Sequence, residues 1–179
     1  MWVKRKLIGK QDYKIFKVMT TQFSYNSNTA EFYQIVAPHW INIIARCKDD
    51  IIMIHQYRIG IEDYSLELPG GIIEEQDIIA AGMRELEEET GYTGTPEIIG
   101  TMHPNPALFT NQLYTLYVKD AYYIAANQLE TFEDINVYHM PLSEIYKKIA
   151  HGKITNALTL ASLMQLISRY PHLFDCSNE

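Results

Sequence analysis

Cysteine is scarce, with Cys47 and Cys176 the only two in 179 residues. Two cysteines this far apart make neither a disulfide framework nor a zinc site, and they read as free thiols of a reducing cytoplasm. No apolar run is long enough to cross a bilayer. The basic opening MWVKRKLIGKQDYK is not followed by an apolar core, so it does not read as a secretory signal. Positive charge is also short. Fifteen Lys and Arg face 22 Asp and Glu, for a formal charge of -7. That balance, without a basic tract, argues against a general affinity for nucleic acid or an anionic membrane. It also implies that an anionic substrate needs metal ions to offset repulsion. No Pro/Gly/Ser-rich linker and no internal repeat divides the chain, so residues 1–179 read as one domain.

What is present is a soluble, globular composition, 47% hydrophobic and 21% charged. Lys14–Thr20 and Glu31–Val36 mix β-branched and aromatic residues with polar ones and predict strands, with a turn-like SYNSNTA between them. WINIIAR and DIIMIHQYR, separated by Lys48-Asp49-Asp50, predict a hairpin of largely buried strands. Further strands are expected at EIIGTM, QLYTLYVKD and INVYHM. Helices are expected at LSEIYKKIAHG and at TNALTLASLMQLISRY, where Leu160, Leu163, Met164 and Ile167 recur at helical spacing. The order of these elements predicts a mixed α/β architecture without regular βαβ alternation.

The densest chemistry lies in GGIIEEQDIIAAGMRELEEETGY, Gly70 to Tyr92. Asp77 suits a helix N-cap and Gly91 a C-terminal stop. At about 100° per residue, with Glu85 at zero, Glu88 falls near 300° and Glu89 near 40°. Ile79, Met83 and Leu86 fall between roughly 100° and 160°, and Glu87 near 200°. The helix thus carries an apolar face and, beside it, a stripe of three carboxylates. Such a stripe repels itself, and hard divalent cations, which prefer oxygen ligands, relieve the repulsion. A solvated acidic surface remains the alternative from spacing alone.

RELEEETGY (Arg84 to Tyr92) matches the latter half of the Nudix box, G-x5-E-x7-R-E-U-x-E-E-x-G-U with U apolar. The chain resembles a Nudix hydrolase, a family that cleaves nucleoside diphosphates linked to another group and needs divalent metal. The first half of the box departs from the pattern. Counted from Gly71, Asp77 takes the glutamate slot with one residue too few before Arg84. Counted from Gly70, the spacing holds but Gln76 takes the slot. The shortfall predicts a tightened turn ahead of the helix, with the ligand-bearing half in register and Glu85 and Glu89 pointing toward Gly70.

APHWINIIARCKDDIIMIHQYRIG, LELPGG, GTMHPNPALFTNQLYTLYV and ITNALTLASLMQL look like consecutive segments of the ADP-ribose pyrophosphatase-like branch. The resemblance implies an α/β/α sandwich with a mixed β-sheet. It implies Glu85, Glu89 and Glu88 as ligands of Mg²⁺ or Mn²⁺, with the Gly70 carbonyl as a further oxygen and Arg84 orienting the glutamates. A base or additional ligand is expected in the late acidic loop, with Glu133 first and Asp134 second, and Glu88 as a helix alternative. Arg58 suits an anionic substrate group. Glu67, before the Pro-Gly-Gly turn, and His103, in HPNPA, are the other substrate-side candidates, with structural roles as their alternatives. Trp40 and Phe109 are candidates for aromatic contact to a nucleobase. Asn156 stands where relatives often have histidine.

The resemblance further implies hydrolysis of the pyrophosphate bond of ADP-ribose to AMP and ribose 5-phosphate, and a homodimer for which the N-terminal strands, residues 1–36, are available; a cytoplasmic location is expected. Another nucleotide sugar or NADH, and a non-catalytic Nudix-fold binding protein, are the alternatives. The intact Glu85, Glu88 and Glu89 weigh against the last. An RNA decapping role fits the acidic balance poorly.

Overall fold

A computed structural model describes residues 1–74 and 76–174, the Phe174 side chain excepted. Cys176 therefore lies outside the described residues. The N-terminal segment forms a three-stranded antiparallel sheet, β1 (Trp2–Asp12), β2 (Lys17–Tyr25) and β3 (Asn28–Val36). The basic opening segment is thus a strand. The stretch expected as a turn narrows to Asn26-Ser27, where Asn26 adopts φ 54°. Asparagine tolerates that left-handed conformation better than most residues.

The remaining strands form a seven-stranded mixed sheet of β4 (Trp40–Cys47), β5 (Asp50–Arg58), β6 (Asp63–Glu67), β7 (Gly70–Ile72), β8 (Tyr92–Met102), β9 (Leu113–Tyr123) and β10 (Ile135–Pro141). Its path runs β10-β5-β4-β9-β8; β4 and β9 are parallel, and the other pairs are antiparallel.

The expected β4–β5 hairpin is present but pairs only beside its turn, at Arg46–Ile51 and Cys47–Asp50. Beyond those rungs the strands part. The segment from β6 to β7 fills the gap, pairing first with the end of β5 and then with the start of β4. The crossing is secured by Ile43, whose N–H donates to the Pro69 carbonyl at 2.8 Å. This splay carries Leu68-Pro69-Gly70-Gly71 across the sheet to where the acidic helix packs.

Helix α1 (Ile78–Thr90) covers one face of the sheet, and α2 (Leu142–Ala150) and α3 (Ala157–Arg169) cover the other. Strand alternation explains the division. Ile41, Ile43 and Ala45 of β4 pack with Leu86 of α1, whereas Ile44 packs with Leu163 and Leu166 of α3. The α/β/α sandwich with a mixed sheet is therefore the observed fold.

Two helical details differ from the spacing argument. In α1, Gly82 lies close against the sheet, where an added Cβ would meet Ile41 Cδ1 at 2.6 Å and Leu116 Cδ2 at 2.8 Å, while Ile79 is exposed. In α3 the buried face is Thr159, Ser162, Leu163 and Leu166, and Met164 points out. Ser162 accepts from Asn42 Nδ2 at 3.1 Å and from Thr115 Oγ1 at 3.0 Å, so part of this contact is polar and invisible to a search for apolar periodicity.

Candidate active site

The acidic helix begins and ends as its sequence dictates. Asp77 accepts from the Ile79 and Ala80 N–H groups at 2.9 and 3.1 Å, a cap that contributes about 1 kcal/mol. Gly91 adopts φ 76° and donates its N–H to the Glu87 carbonyl. Between these stops the carboxylate stripe faces β7. The Gly70 N–H donates to Glu89 Oε2 at 2.9 Å. A Cβ on Gly71 would stand 2.5 Å from the Glu85 carboxyl carbon, so only glycine lets that side chain come so close. Glu85 and Glu89 thus point toward Gly70 and Gly71 of β7, and the irregular first half of the motif leaves their register intact.

Arg84 bridges the other pair, donating from Nη2 to Glu85 at 2.9 Å and from Nη1 to Glu88 at 2.6 Å. It ties these two carboxylates together and itself lines the cleft. The tie is incomplete electrostatically. Burial pushes the Glu85 carboxyl up against the lowering effect of Arg84, with Glu88 and Glu133 adding to the rise. Burial pushes Glu89 up to about 8, the Gly70 N–H lowers it only in part, and Glu85 and Glu133 add to the rise. The carboxylates surround a cleft of about 420 Å³, lined also by Gln56, Arg58, Gly70, Gly71, Glu130 and Glu133.

Among the described residues, no three His, Cys, Asp or Glu side chains form a closed metal-ligating group. Instead Arg84 engages Glu85 and Glu88, and the Gly70 N–H engages Glu89. The donor set nevertheless fits a hard divalent cation. It is made of oxygen atoms, it carries more negative charge than Arg84 offsets, and burial penalises that charge.

Arg58 and Glu67 are brought together. Arg58 Nε donates to Glu67 Oε1 at 2.6 Å, and its Nη2 closes an ion pair on the same oxygen. Glu67 is buried and also accepts from Ser65 Oγ and Asn156 Nδ2, so it orients Arg58 and does not itself line the cleft. Asn156 in turn caps α3, accepting from the Thr159 N–H at 2.9 Å. Past Arg58 and β7 lies a second cavity of about 250 Å³, with Trp40, Asn42, Asn156 and Leu158 in its wall. Trp40 sits 5.8 Å from Phe109 between ring centroids.

Two sequence candidates lie elsewhere. Asp134 does not line the cleft; its carboxylate accepts from the Tyr64 phenol. His103 is exposed beyond the end of β8 and lines neither cavity. The resemblance offers Asp134 as second to its neighbour Glu133, but the Asp134 carboxylate is directed to Tyr64 on β6 while Glu133 lines the cleft. Gln56 of the Gln-Tyr-Arg triplet is the contributor that sequence reasoning left without a role. The alternation that exposes Arg58 at the cleft also sends Gln56 to the same side.

A NUDIX domain model matches residues 37–158. The chain is 27% identical over 146 residues to the methanol dehydrogenase activator of Bacillus methanolicus, covering 79% of this chain and 78% of that one. It is 27% identical over 120 residues to the ADP-ribose pyrophosphatase of Bacillus subtilis, covering 65% of this chain and 64% of that enzyme. The fold is similar to a crystal structure of an ADP compounds hydrolase, with TM-score 0.81 at 18% identity over 93% of this chain and 94% of that one. Matched across its carboxylate helix, its glycine turn and most of its sheet, the chain belongs to the NUDIX domain family.

Proposed function

We propose that this protein hydrolyses the pyrophosphate bond of a nucleoside diphosphate linked to a sugar, with ADP-ribose as substrate and AMP and ribose 5-phosphate as products. The convergence of Glu85, Glu88, Glu89 and Glu133 on one cleft beside Arg58 carries the reading. Likeness to the Bacillus subtilis ADP-ribose pyrophosphatase supports the substrate class.

Glu85, Glu89 and Glu88, with the Gly70 carbonyl, would hold Mg²⁺ or Mn²⁺. When bound, such ions neutralise charge on pyrophosphate oxygens and lower the pKa of water. The chain's own residues do the rest. The Gly70 N–H fixes Glu89, and Arg84 fixes Glu85 and Glu88. Arg58, aimed by Glu67, meets a phosphate oxygen, a geometry guanidinium suits. Glu133, across the cleft from the helix, accepts the proton of the attacking water, and Glu88 is the second candidate for that step. The cavity beyond Arg58, with Trp40 in its wall, gives room for the group on the far side of the scissile bond. The N-terminal sheet leaves Trp2, Tyr25, Phe32 and Tyr33 exposed, which supports a homodimer built through residues 1–36.

The test is turnover of ADP-ribose, nucleotide sugars, NADH and capped RNA with Mg²⁺ or Mn²⁺, repeated with Glu89→Gln. Hydrolysis of ADP-ribose in preference to the others, abolished by the substitution, is the expected result. No turnover of any compound would sink the enzyme reading, and turnover indifferent to Glu89→Gln would sink the metal assignment.

A further inference from the structure

Residues 124–134 form the loop between β9 and β10 that brings Glu133 to the cleft. Its first end is pinned to the C-terminus of α1: the Ile124 N–H donates to the Gly91 carbonyl at 2.9 Å and the Gln128 N–H to the Glu88 carbonyl at 2.7 Å. In the middle the loop bonds mainly to itself. The Glu133 N–H donates to the Glu130 carbonyl at 3.1 Å, and the Glu130 N–H returns to Glu133 Oε2 at 2.8 Å. Packing does not hold the tip, because Phe132 is 99% exposed. The far end has a long backbone bond, from the Tyr57 N–H to the Asp134 carbonyl at 3.4 Å, and the Tyr64 phenol on the Asp134 carboxylate.

Tyr64 is well placed to act as a fixed post. It sits on β6 paired with Tyr57 of β5, its ring stacks on His55 with centroids 4.9 Å apart at 28°, and it meets the edge of Tyr57 at 5.5 Å. The half-exposed ring is thus braced by two neighbours on β5, and Asp134, one residue from Glu133, is tied to its phenol oxygen. A carboxylate that must receive a proton loses much of its effect when displaced by about 1 Å.

We infer that Tyr64 is a positioning residue: through Asp134 it latches the loop so that Glu133 faces the Glu85 and Glu89 carboxylates. This rests on Glu133 as the proton acceptor. Tyr64→Phe keeps the ring contacts and removes only the hydroxyl. With ADP-ribose and Mg²⁺, it is expected to lower kcat about tenfold, at the low end of what supporting contacts to a metal site cost, with KM and the melting temperature little changed. Amide hydrogen exchange of residues 130–134 should quicken. Asp134→Asn keeps an acceptor and should stay close to the parent, whereas Asp134→Ala should match Tyr64→Phe. In a Glu133→Gln background, Tyr64→Phe should cost nothing more. A kcat for Tyr64→Phe within twofold of the parent while Glu133→Gln is impaired would overturn the latch alone, as would losses that multiply in the double variant. Normal turnover by Glu133→Gln would overturn the role of Glu133 and the latch with it.

Discussion

Glu89 and Glu97 are the same side chain in opposite circumstances. Glu97, on β8, accepts from the Tyr170 phenol at 2.6 Å and is paired with Lys119 at 2.9 Å and Arg169 at 3.6 Å. The Tyr170 hydrogen bond, then Lys119, holds its carboxyl below the usual range. Glu89 has a backbone N–H, acidic neighbours and burial, and is pushed up to about 8. Where a charge serves the architecture, this fold supplies the cations itself. Where the charge serves the site, it stops short and leaves a deficit that a divalent ion can fill.

The contrast is broken most severely at Glu89. Glu89→Gln should lower kcat by more than the roughly 100-fold that even supporting partners of a metal site can cost. Its metal-free melting temperature should not fall, because the amide still accepts from Gly70 and carries no charge. Steady-state kinetics and a thermal melt in chelator check the two halves together. Gly71→Ala comes next. The new methyl would press on the Glu85 carboxyl, and a shift of about 1 Å is worth up to about 100-fold in rate. The assay is kcat at saturating metal, with circular dichroism to show the fold retained.

The pH dependence sharpens the comparison. The folded chain keeps a proton on Glu89 that the unfolded chain has released between the ordinary 4.5 and about 8. Metal-free stability attributable to Glu89 therefore falls as pH rises through that window and levels off above it. Mg²⁺ or Mn²⁺ competes with that proton, so its stabilising shift in melting temperature should be larger at pH 8.5 than at pH 6. Glu89→Gln should flatten both trends. The smallest effect is expected at Glu97. Glu97→Gln should leave kcat unchanged and lower the melting temperature slightly. The lowered pKa makes the Glu97 contribution complete above its unfolded value and lost as pH falls through its folded one, so parent and variant should converge in acid.

The halves of this comparison were not equally legible. The carboxylate stripe, the Asp77 cap and the Gly91 stop follow from helical geometry and local backbone chemistry, which a short stretch of sequence contains in full. The strands of the main sheet follow from their apolar runs. The parting of β4 from β5 does not, because it is decided by what enters between them, and the LELPGG segment reads locally as a turn. The roles of Glu67 and Asp134 were hidden for a related reason. Each carboxylate meets a partner far along the chain, Asn156 in one case and Tyr64 in the other. Ile79 and Met164 have apolar character but occupy exposed positions, because Gly82 and the Ser162 hydrogen bonds set how each helix lies on the sheet.

The splayed hairpin has a consequence for how the molecule assembles. Gly70 and Glu89, joined by a hydrogen bond, lie 19 residues apart. The sheet that supports them needs the parallel rungs from Trp40–Leu113 to Ala45–Val118, and closure of the larger loops is the slower event. Strand β7 and the helix can therefore meet early as a local unit, before the parallel rungs of β4 with β9 close. In refolding, protection of the Gly70 amide should therefore be gained before that of the parallel rungs between β4 and β9.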